Sequence, residues 1–337
     1  MMNGANNTFW QRLEAVPRYP LIGALTPLQR LAKFSARLAG PEIWCKRDDL
    51  IGFGMGGNKI RGLELLAADA LAKQAEVLVT GAGPQSNHVR ATAAVAAHLG
   101  LRCRAVFWGD APQHIDGNFR LTEMMGGEPV FTGDSERSSV DSSIAAQCEL
   151  LSSQGIKPYA IPRGGACALG ALGHALAARE LHHQCAELGM RPKIIVLATG
   201  SGGTHAGWLL GTRALGDPWR IHSVTVSRTA ADVRREIVRL ANAAAELVQD
   251  DNRFTLADAI VHDGFIGAGY GIPSPEAANA IRLVGRSEGI LLDPTYTGKA
   301  MAALLALIAN GGIDGPVVFI HTGGEPAFFA GDGAWLG

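Results

Sequence analysis

What this chain has little of narrows its class before any motif is read. Its five cysteines are odd in number and scattered, at Cys45, Cys103, Cys148, Cys167 and Cys185, with no C-x-x-C pair. Neither a disulfide framework nor a zinc site is expected from that pattern, and a reducing cytosol is. There is no excess of one charge: 30 Lys and Arg stand against 31 Asp and Glu, a formal net charge of -1. No basic field exists to attract nucleic acid or an anionic membrane. Long apolar runs are missing too; Met301 to Ala309 falls far short of a bilayer span. Met1 to Arg18 is polar, without the apolar core of a secretion signal. A soluble, cytoplasmic protein with no membrane or nucleic-acid partner is therefore expected. His98, His114, His174, His182, His183, His222 and His262 show no metal-ligand spacing, and no metal is expected.

What is present is the patterning of a well-buried protein, 47% hydrophobic and 18% charged. At 337 residues the chain is too long for one ordinary core and suits two domains. Short β-branched runs alternate with Ala- and Leu-rich stretches. Strands are predicted at 76–80, 104–108, 128–131, 158–161, 193–198, 222–226 and 316–320. Ser86 to Leu99 reads as a helix with Ser86 as its N-cap and Gly100 as its stop. Such alternation implies βαβ units, an α/β fold with mostly parallel sheets and helices on both faces. Ligands of such sheets sit beyond the carboxyl ends of the strands. That rule nominates four glycine-containing loops: 81–88, 163–168, 199–204 and 321–325.

Lys59 is the residue that stands out. It follows the turn Gly56-Gly57-Asn58, after the loop Lys46-Arg47-Asp48-Asp49, at a predicted helix start. A helix N-terminus is partially positive and disfavours cations. A neutral amine that reacts with an aldehyde, as in a Schiff-base lysine, suits that place. The loop Thr199-Gly200-Ser201-Gly202-Gly203-Thr204 joins an apolar strand to a helix, so backbone N–H groups and the Ser201 and Thr204 hydroxyls converge. It reads as a cradle for a small monophosphate or, equally, as a plain glycine-rich turn. It is neither a Walker loop nor a dinucleotide fingerprint. Gln85-Ser86-Asn87-His88 opens a helix directly after a strand and offers a carboxylate site, ordinary N-capping by Ser86 being the alternative.

A reactive lysine, a phosphate cradle and a carboxylate site together describe pyridoxal phosphate acting on an amino acid. The ordered set of motifs closely resembles the fold type II pyridoxal-phosphate enzymes, within them the D-cysteine desulfhydrase/1-aminocyclopropane-1-carboxylate (ACC) deaminase group. The resemblance runs nearly end to end: Thr26-Pro27-Leu28, Lys46 to Asp49, Gly57-Asn58-Lys59, Gln85 to His88, Gly200 to Gly207, Gly269-Tyr270-Gly271, Leu292 to Lys299 and His321 to Gly324. It implies two open, twisted, mostly parallel sheets as in the tryptophan synthase β chain. The large cofactor-binding domain would span 1–58 and 170–337, with a small domain, 59–169, inserted in it. It also implies pyridoxal 5'-phosphate as cofactor and a homodimer.

Carried over, the resemblance makes Lys59 the Schiff-base lysine, with Asn58 beside it. Asn87 would bond the cofactor's phenolic oxygen, and Ser86, Asn87 and His88 would face the substrate carboxylate. Thr199, Gly200, Ser201, Gly202, Gly203 and Thr204 would hold the phosphate. Tyr270 and Tyr296 would be the active-site tyrosines, Thr297 would face the pyridine nitrogen, and Thr322 would lie nearby. The deaminases of the group carry Glu and Leu where this chain has Thr297 and Thr322. The chain thus resembles the desulfhydrases, and α,β-elimination from D-cysteine to pyruvate, hydrogen sulfide and ammonia is expected. L-cysteate sulfo-lyase, ACC deaminase and a non-catalytic cofactor-binding protein are the alternatives. The group usually has a second lysine, near the cofactor phosphate, where this chain has Gly62. The loss of a cation would weaken cofactor binding unless Arg61 or another cation compensates. Arg163 and Cys167 also depart from the group. Arg163 reads as a surface arginine, or as a partner for an anionic substrate group such as a sulfonate. His321 reads as a residue that orients the Gly323-Gly324 turn.

Overall fold

The computed structural model describes residues 4–331 and 333–336. Two sheets organise it. The larger has six strands in the order β1 (Leu28–Arg30), β2 (Ile43–Arg47), β10 (Val317–His321), β7 (Ile194–Thr199), β8 (Arg220–Thr225), β9 (Ile260–His262). Only β1 runs antiparallel, at the edge. The smaller is all parallel, in the order β5 (Gly127–Phe131), β4 (Arg102–Phe107), β3 (Val77–Ala82), β6 (Pro158–Ala160).

Twelve α-helices clothe the sheets within the described residues. They are α1 (Gly4–Ala15), α2 (Ala32–Leu38), α3 (Lys59–Ala72), α4 (Asn87–Leu99), α5 (Gly117–Met124) and α6 (Ser139–Ser153), followed by α7 (Ala168–Glu187), α8 (Gly203–Ala214), α9 (Ala230–Leu247), α10 (Pro275–Glu288), α11 (Thr297–Ala309) and α12 (Glu325–Phe328). None is long and apolar enough to cross a membrane.

Strand periodicity explains the layers, because successive side chains point to opposite faces. Ile195 and Leu197 of β7 pack with Leu181 and Trp208 of α7 and α8. Val196 and Ala198 pack with Ile281 of α10 and with Ala300 and Leu304 of α11. Each Val, Leu or Ile side chain so buried contributes about 1.5–3 kcal/mol. In the smaller sheet Leu78 joins Leu63 and Val95 on one face, while Val77 and Val79 join Val140 and Ile144 of α6 on the other.

The predicted strands all form, within two residues of their expected ends, and the Ser86-to-Gly100 helix is capped as read. The Ser86 hydroxyl accepts from Val89 N, and Gly100 ends the helix in the left-handed region at φ 69°. β1, β2 and β9 were not expected. The supposed loop 46–49 is in fact the end of β2 followed by a 3-10 turn at Asp48–Leu50. Its charges conceal the strand because they are used internally. Asp48 accepts from Arg61 at 2.6 and 2.8 Å, Arg61 also reaches Glu180 at 3.0 Å, and Lys46 pairs with Glu180. Burial opposes ionisation of Asp48, but the Arg61 guanidinium overcomes it and holds the carboxyl below its ordinary range.

Backbone contacts set the helix spacing around α7. A Cβ on Gly62 would lie 2.8 Å from Gly170 O, and one on Gly173 would lie 2.1 Å from Arg61 O. On the opposite flank, a Cβ on Gly207 would lie 2.0 Å from Ala171 O. Gly62 is thus where α3 and α7 touch, which explains the glycine: a Cβ there would force the two helix backbones to shift.

Candidate active site

The strand ends and the loops after them enclose a cavity of about 440 Å3. All four loops nominated from the sequence border it, through Ala82, Ser86, Asn87 and His88, through Arg163, Gly164 and Ala166, through Thr199 to Gly202 with Thr204, and through Thr322. Asn58 and Lys59 enter from the start of α3, and Tyr270 and Tyr296 from the loops before α10 and α11.

Three anchors place Lys59. Gly57 N donates to Asp48 O at 3.0 Å, Asn58 N donates to Thr322 O at 3.0 Å, and the buried Arg90 guanidinium donates to Gly54 O and Gly56 O. Gly56 and Gly57 have φ of 71° and 97°, and a Cβ on Gly56 would sit 2.1 Å from Asp49 O, so glycine is required at this turn. Lys59 Nζ donates to Gly164 O at 2.9 Å. Burial without a carboxylate partner lowers its pKa to about 8.

The loop 200–202 carries the features of an anion cradle. Gly202 (φ 93°) turns the chain into α8, whose first N–H groups have no partners within the helix. Thr199 Oγ1 is buried without a hydrogen-bond partner. Thr204 Oγ1 accepts from Asn58 Nδ2 at 3.0 Å, which leaves the hydroxyl proton free to donate. Gly203 does not border the main cavity; it borders a smaller one next to Lys59. Asn87 Oδ1 accepts from Asn118 Nδ2 at 2.9 Å, so its own amide N–H groups remain available. These donors fit a phosphate and a phenolate, the anionic groups of the expected cofactor.

Tyr270 and Tyr296 share a 2.7 Å hydroxyl–hydroxyl hydrogen bond. Burial first, then the neighbouring Tyr270, pushes the Tyr296 hydroxyl well above its ordinary pKa; Tyr270 is also raised, by burial. A Cβ on Gly200 would lie 3.3 Å from Tyr296 Cε1, so the glycine brings the tyrosine close to the cradle.

Thr297 is a correction. It is fully buried and does not line the cavity. Its hydroxyl donates to Asp293 Oδ1 at 2.6 Å and accepts from Asp293 N at 2.7 Å. Asp293 in turn accepts from the N–H groups of Thr295, Tyr296 and Thr297, capping α11. Of the two threonines, Thr322 is the one at the cavity wall. Arg163 likewise is not a plain surface residue: it lines the cavity and pairs with Asp141 at 3.0 Å. Arg61 cannot stand in for the missing lysine, since it is locked between Asp48 and Glu180. The cation beside the cradle is Arg228, which donates to Gly200 O at 2.7 Å.

Trp108, Arg137, Arg228 and Arg239 also line the cavity and were not nominated. Arg228 follows β8 in a loop without glycine, so a search for glycine-rich strand ends passes over it; the strand-end rule alone finds it. Arg137 lies over the Tyr270 ring at 4.5 Å and the Trp108 ring at 5.8 Å. Asp49, His321 and Glu325 gather within 4.8 Å of one another. Both His321 nitrogens are engaged, Nε2 with Leu291 O at 2.9 Å and Nδ1 with Gly323 N at 3.3 Å, so the trio orders the turn and offers no imidazole lone pair to a metal.

The profile of the pyridoxal-phosphate dependent enzymes matches residues 20–323. This chain belongs to that family. Its cofactor is pyridoxal 5'-phosphate. Among solved structures, it is similar to an ACC deaminase homologue, with 36% identity, a TM-score of 0.89 and 96% of each chain covered. A threonine deaminase isoform from Solanum lycopersicum (18% identity, TM-score 0.66, covering 96% of this chain and 86% of that one) shares the fold. So does an L-serine ammonia-lyase from Rhizomucor miehei (16% identity, TM-score 0.64, covering 90% and 94%). The two mostly parallel sheets flanked by helices are those of fold type II pyridoxal-phosphate enzymes.

Proposed function

We propose that this enzyme catalyses α,β-elimination on a cysteine-like amino acid, D-cysteine giving pyruvate, hydrogen sulfide and ammonia. One observation carries the reading. Among the described residues, the cavity that holds Lys59 and the Tyr270–Tyr296 hydroxyl pair has only Asp141 and Glu236 as lining carboxylates, each paired to an arginine. When bound, the cofactor supplies an electron sink for charge developing at the substrate's α-carbon. Among the described residues, the cavity wall offers the sink no unpaired carboxylate to keep it protonated. That favours a substrate with a good β-leaving group, such as thiolate, over one whose carbon ring must be opened.

The chain's own groups divide the remaining work. Thr199 Oγ1, the Thr204 hydroxyl and the N–H groups at the start of α8 bind the phosphate. Ser86 and Asn87, at the start of α4, orient the substrate carboxylate. The Lys59 amine, with its pKa near 8, is partly neutral at neutral pH and takes up the α-proton. In the tyrosine pair one hydroxyl donates to the other, and the accepting hydroxyl keeps a proton to give to the departing sulfur. The raised pKa values keep both tyrosines protonated until then.

A second reading, L-cysteate cleaved to sulfite, pyruvate and ammonia, is favoured by Arg137. Among the described residues no carboxylate pairs with this cavity-lining guanidinium, which rests instead on two aromatic rings. Release of pyruvate, measured side by side with D-cysteine, L-cysteine, L-cysteate, D-serine and ACC, tests both. Turnover of ACC to 2-oxobutyrate with none of the others accepted would overturn the elimination reading. A cofactor absorbance band that no amino acid alters would point to a non-catalytic binding protein.

A further inference from the structure

A second cavity, of about 10 Å3, borders Lys59; its walls include Gly62, His88, Gly165, His174 and Thr204. The volume is near the least that holds one water, and the walls are polar enough to bind it. The hydrogen-bond pattern fixes the tautomer of His88. Its Nε2 lies 3.0 Å from Thr80 Oγ1 and 3.4 Å from Thr92 Oγ1. Both hydroxyls already donate their protons to carbonyls, Thr80 to Ile161 O at 3.0 Å and Thr92 to His88 O at 2.9 Å. Nε2 must therefore be the donor, which leaves Nδ1 bare. That bare edge faces Gly165: a Cβ there would lie 2.8 Å from His88 Cε1 and 2.9 Å from Nδ1. His174, 4% exposed, has its Nδ1 buried without a partner.

Two imidazoles thus stand beside one amine, His88 with its Nδ1 acceptor unused and His174 with a ring nitrogen unpartnered. We propose that this cavity holds a single ordered water bonded to the free Lys59 amine, His88 Nδ1 and His174, which makes both histidines positioning residues for the lysine. The water accepts from the amine and donates to the two imidazoles, so the ammonium form meets neutral acceptors only. Burial keeps both imidazoles neutral, and the charge on Lys59 acts in the same direction. Among the described residues, Arg61 on α3 itself also acts on His174, and the charged or titratable groups across the main cavity are Tyr270, Tyr296, Arg137, Arg228 and the pairs Arg163–Asp141 and Arg239–Glu236. The catalytic duty of the amine rests on the function proposed above; the contents of the cavity do not.

The 337-residue chain labelled with [15N]histidine and freed of cofactor tests the cavity through two-bond proton–nitrogen correlation spectra at pH 7. The expected result is a His88 protonated at Nε2 with a bare Nδ1, and a shift of ring nitrogens in both His88 and His174 on Lys59→Met. A His88 protonated at Nδ1, or spectra unmoved by Lys59→Met, would overturn the proposal. In the cofactor-loaded enzyme, His174→Phe removes one acceptor of the water that solvates the ammonium. The acid limb of kcat should then move to lower pH by roughly half a unit, with KM changed less than about twofold. A limb that stays in place would equally overturn it. If no amino acid is turned over, the elimination reading falls while the spectra still decide this one.

Discussion

Asn58 Nδ2 donates a 3.0 Å hydrogen bond to Thr204 Oγ1, joining the residue before the lysine to the first turn of the helix that bears the phosphate cradle. Because Asn58 is the donor, the threonine proton points elsewhere and serves the anion. Asn58→Ala should weaken cofactor binding by about tenfold, the loss of one oriented hydrogen bond to a charged group. Thr204→Val should do at least as much. Titration of cofactor-free protein with pyridoxal 5'-phosphate, followed by absorbance, measures both. An unchanged affinity in Asn58→Ala would show that the pair does not orient the cradle.

Lys59 makes cofactor-free protein depend on pH in a defined direction. Burial lowers its pKa from 10.5 to about 8, so between those values the unfolded chain binds more protons and stability rises with pH. Below about pH 8 the cost of the buried charge is fully present. Lys59→Met should therefore melt higher than the wild type at pH 7, and the gap should close as pH approaches 10.5. Thermal unfolding of both proteins over that range checks the sign.

Introducing the lysine that related enzymes carry at position 62 should do harm. A side chain there meets Gly170 O at 2.8 Å, between two helices whose backbones touch. Gly62→Lys should cost roughly 1–3 kcal/mol of stability, read from denaturant unfolding, without tightening the cofactor.

Glu180 holds two buried cations, Lys46 and Arg61. Glu180→Leu leaves Lys46, which is wholly buried, without its carboxylate and should cost about 3–5 kcal/mol. Adding Lys46→Met should recover a large part of that loss, because the unpaired charge is then gone as well. Denaturant melts of the single and double variants measure the recovery.

Arg137→Gln separates the two substrate readings. If an anionic β-substituent meets this guanidinium, KM for L-cysteate should rise at least tenfold while that for D-cysteine changes little. Equal effects on both substrates would assign Arg137 to packing on Tyr270 and Trp108.

Much of this architecture was legible in the sequence because its signals are local. Alternating apolar runs marked the parallel strands, and Ser86 and Gly100 marked the limits of α4. Lys59 and the loop 199–204 stood out by residue type at strand and helix ends. The rest depends on partners distant in the chain. The segment 46–49, which includes the end of β2, reads as a loop because its charges look solvated, yet Lys46 and Asp48 are neutralised by Glu180 and Arg61, 134 and 13 residues away. Thr297 stands in a motif that suggests a cofactor contact, but Asp293, four residues earlier, captures its hydroxyl. Arg137 and Trp108 carry no motif at all; only the meeting of separate strand ends places them beside Tyr270.

The contacts around α7 have a consequence for how such a site can vary. The helix that begins with Lys59 and the helix that begins at the cradle press on the same twenty-residue rod, at Gly62 and Gly173 on one flank and at Gly207 and Gly211 on the other. The span from amine to anion cradle is therefore gauged by main chain against main chain. Side chains lining the cavity, such as Arg137 or Thr322, can be exchanged to suit a new substrate while the gauge stays fixed. Adding a single methyl group at one of those glycines would change the span itself.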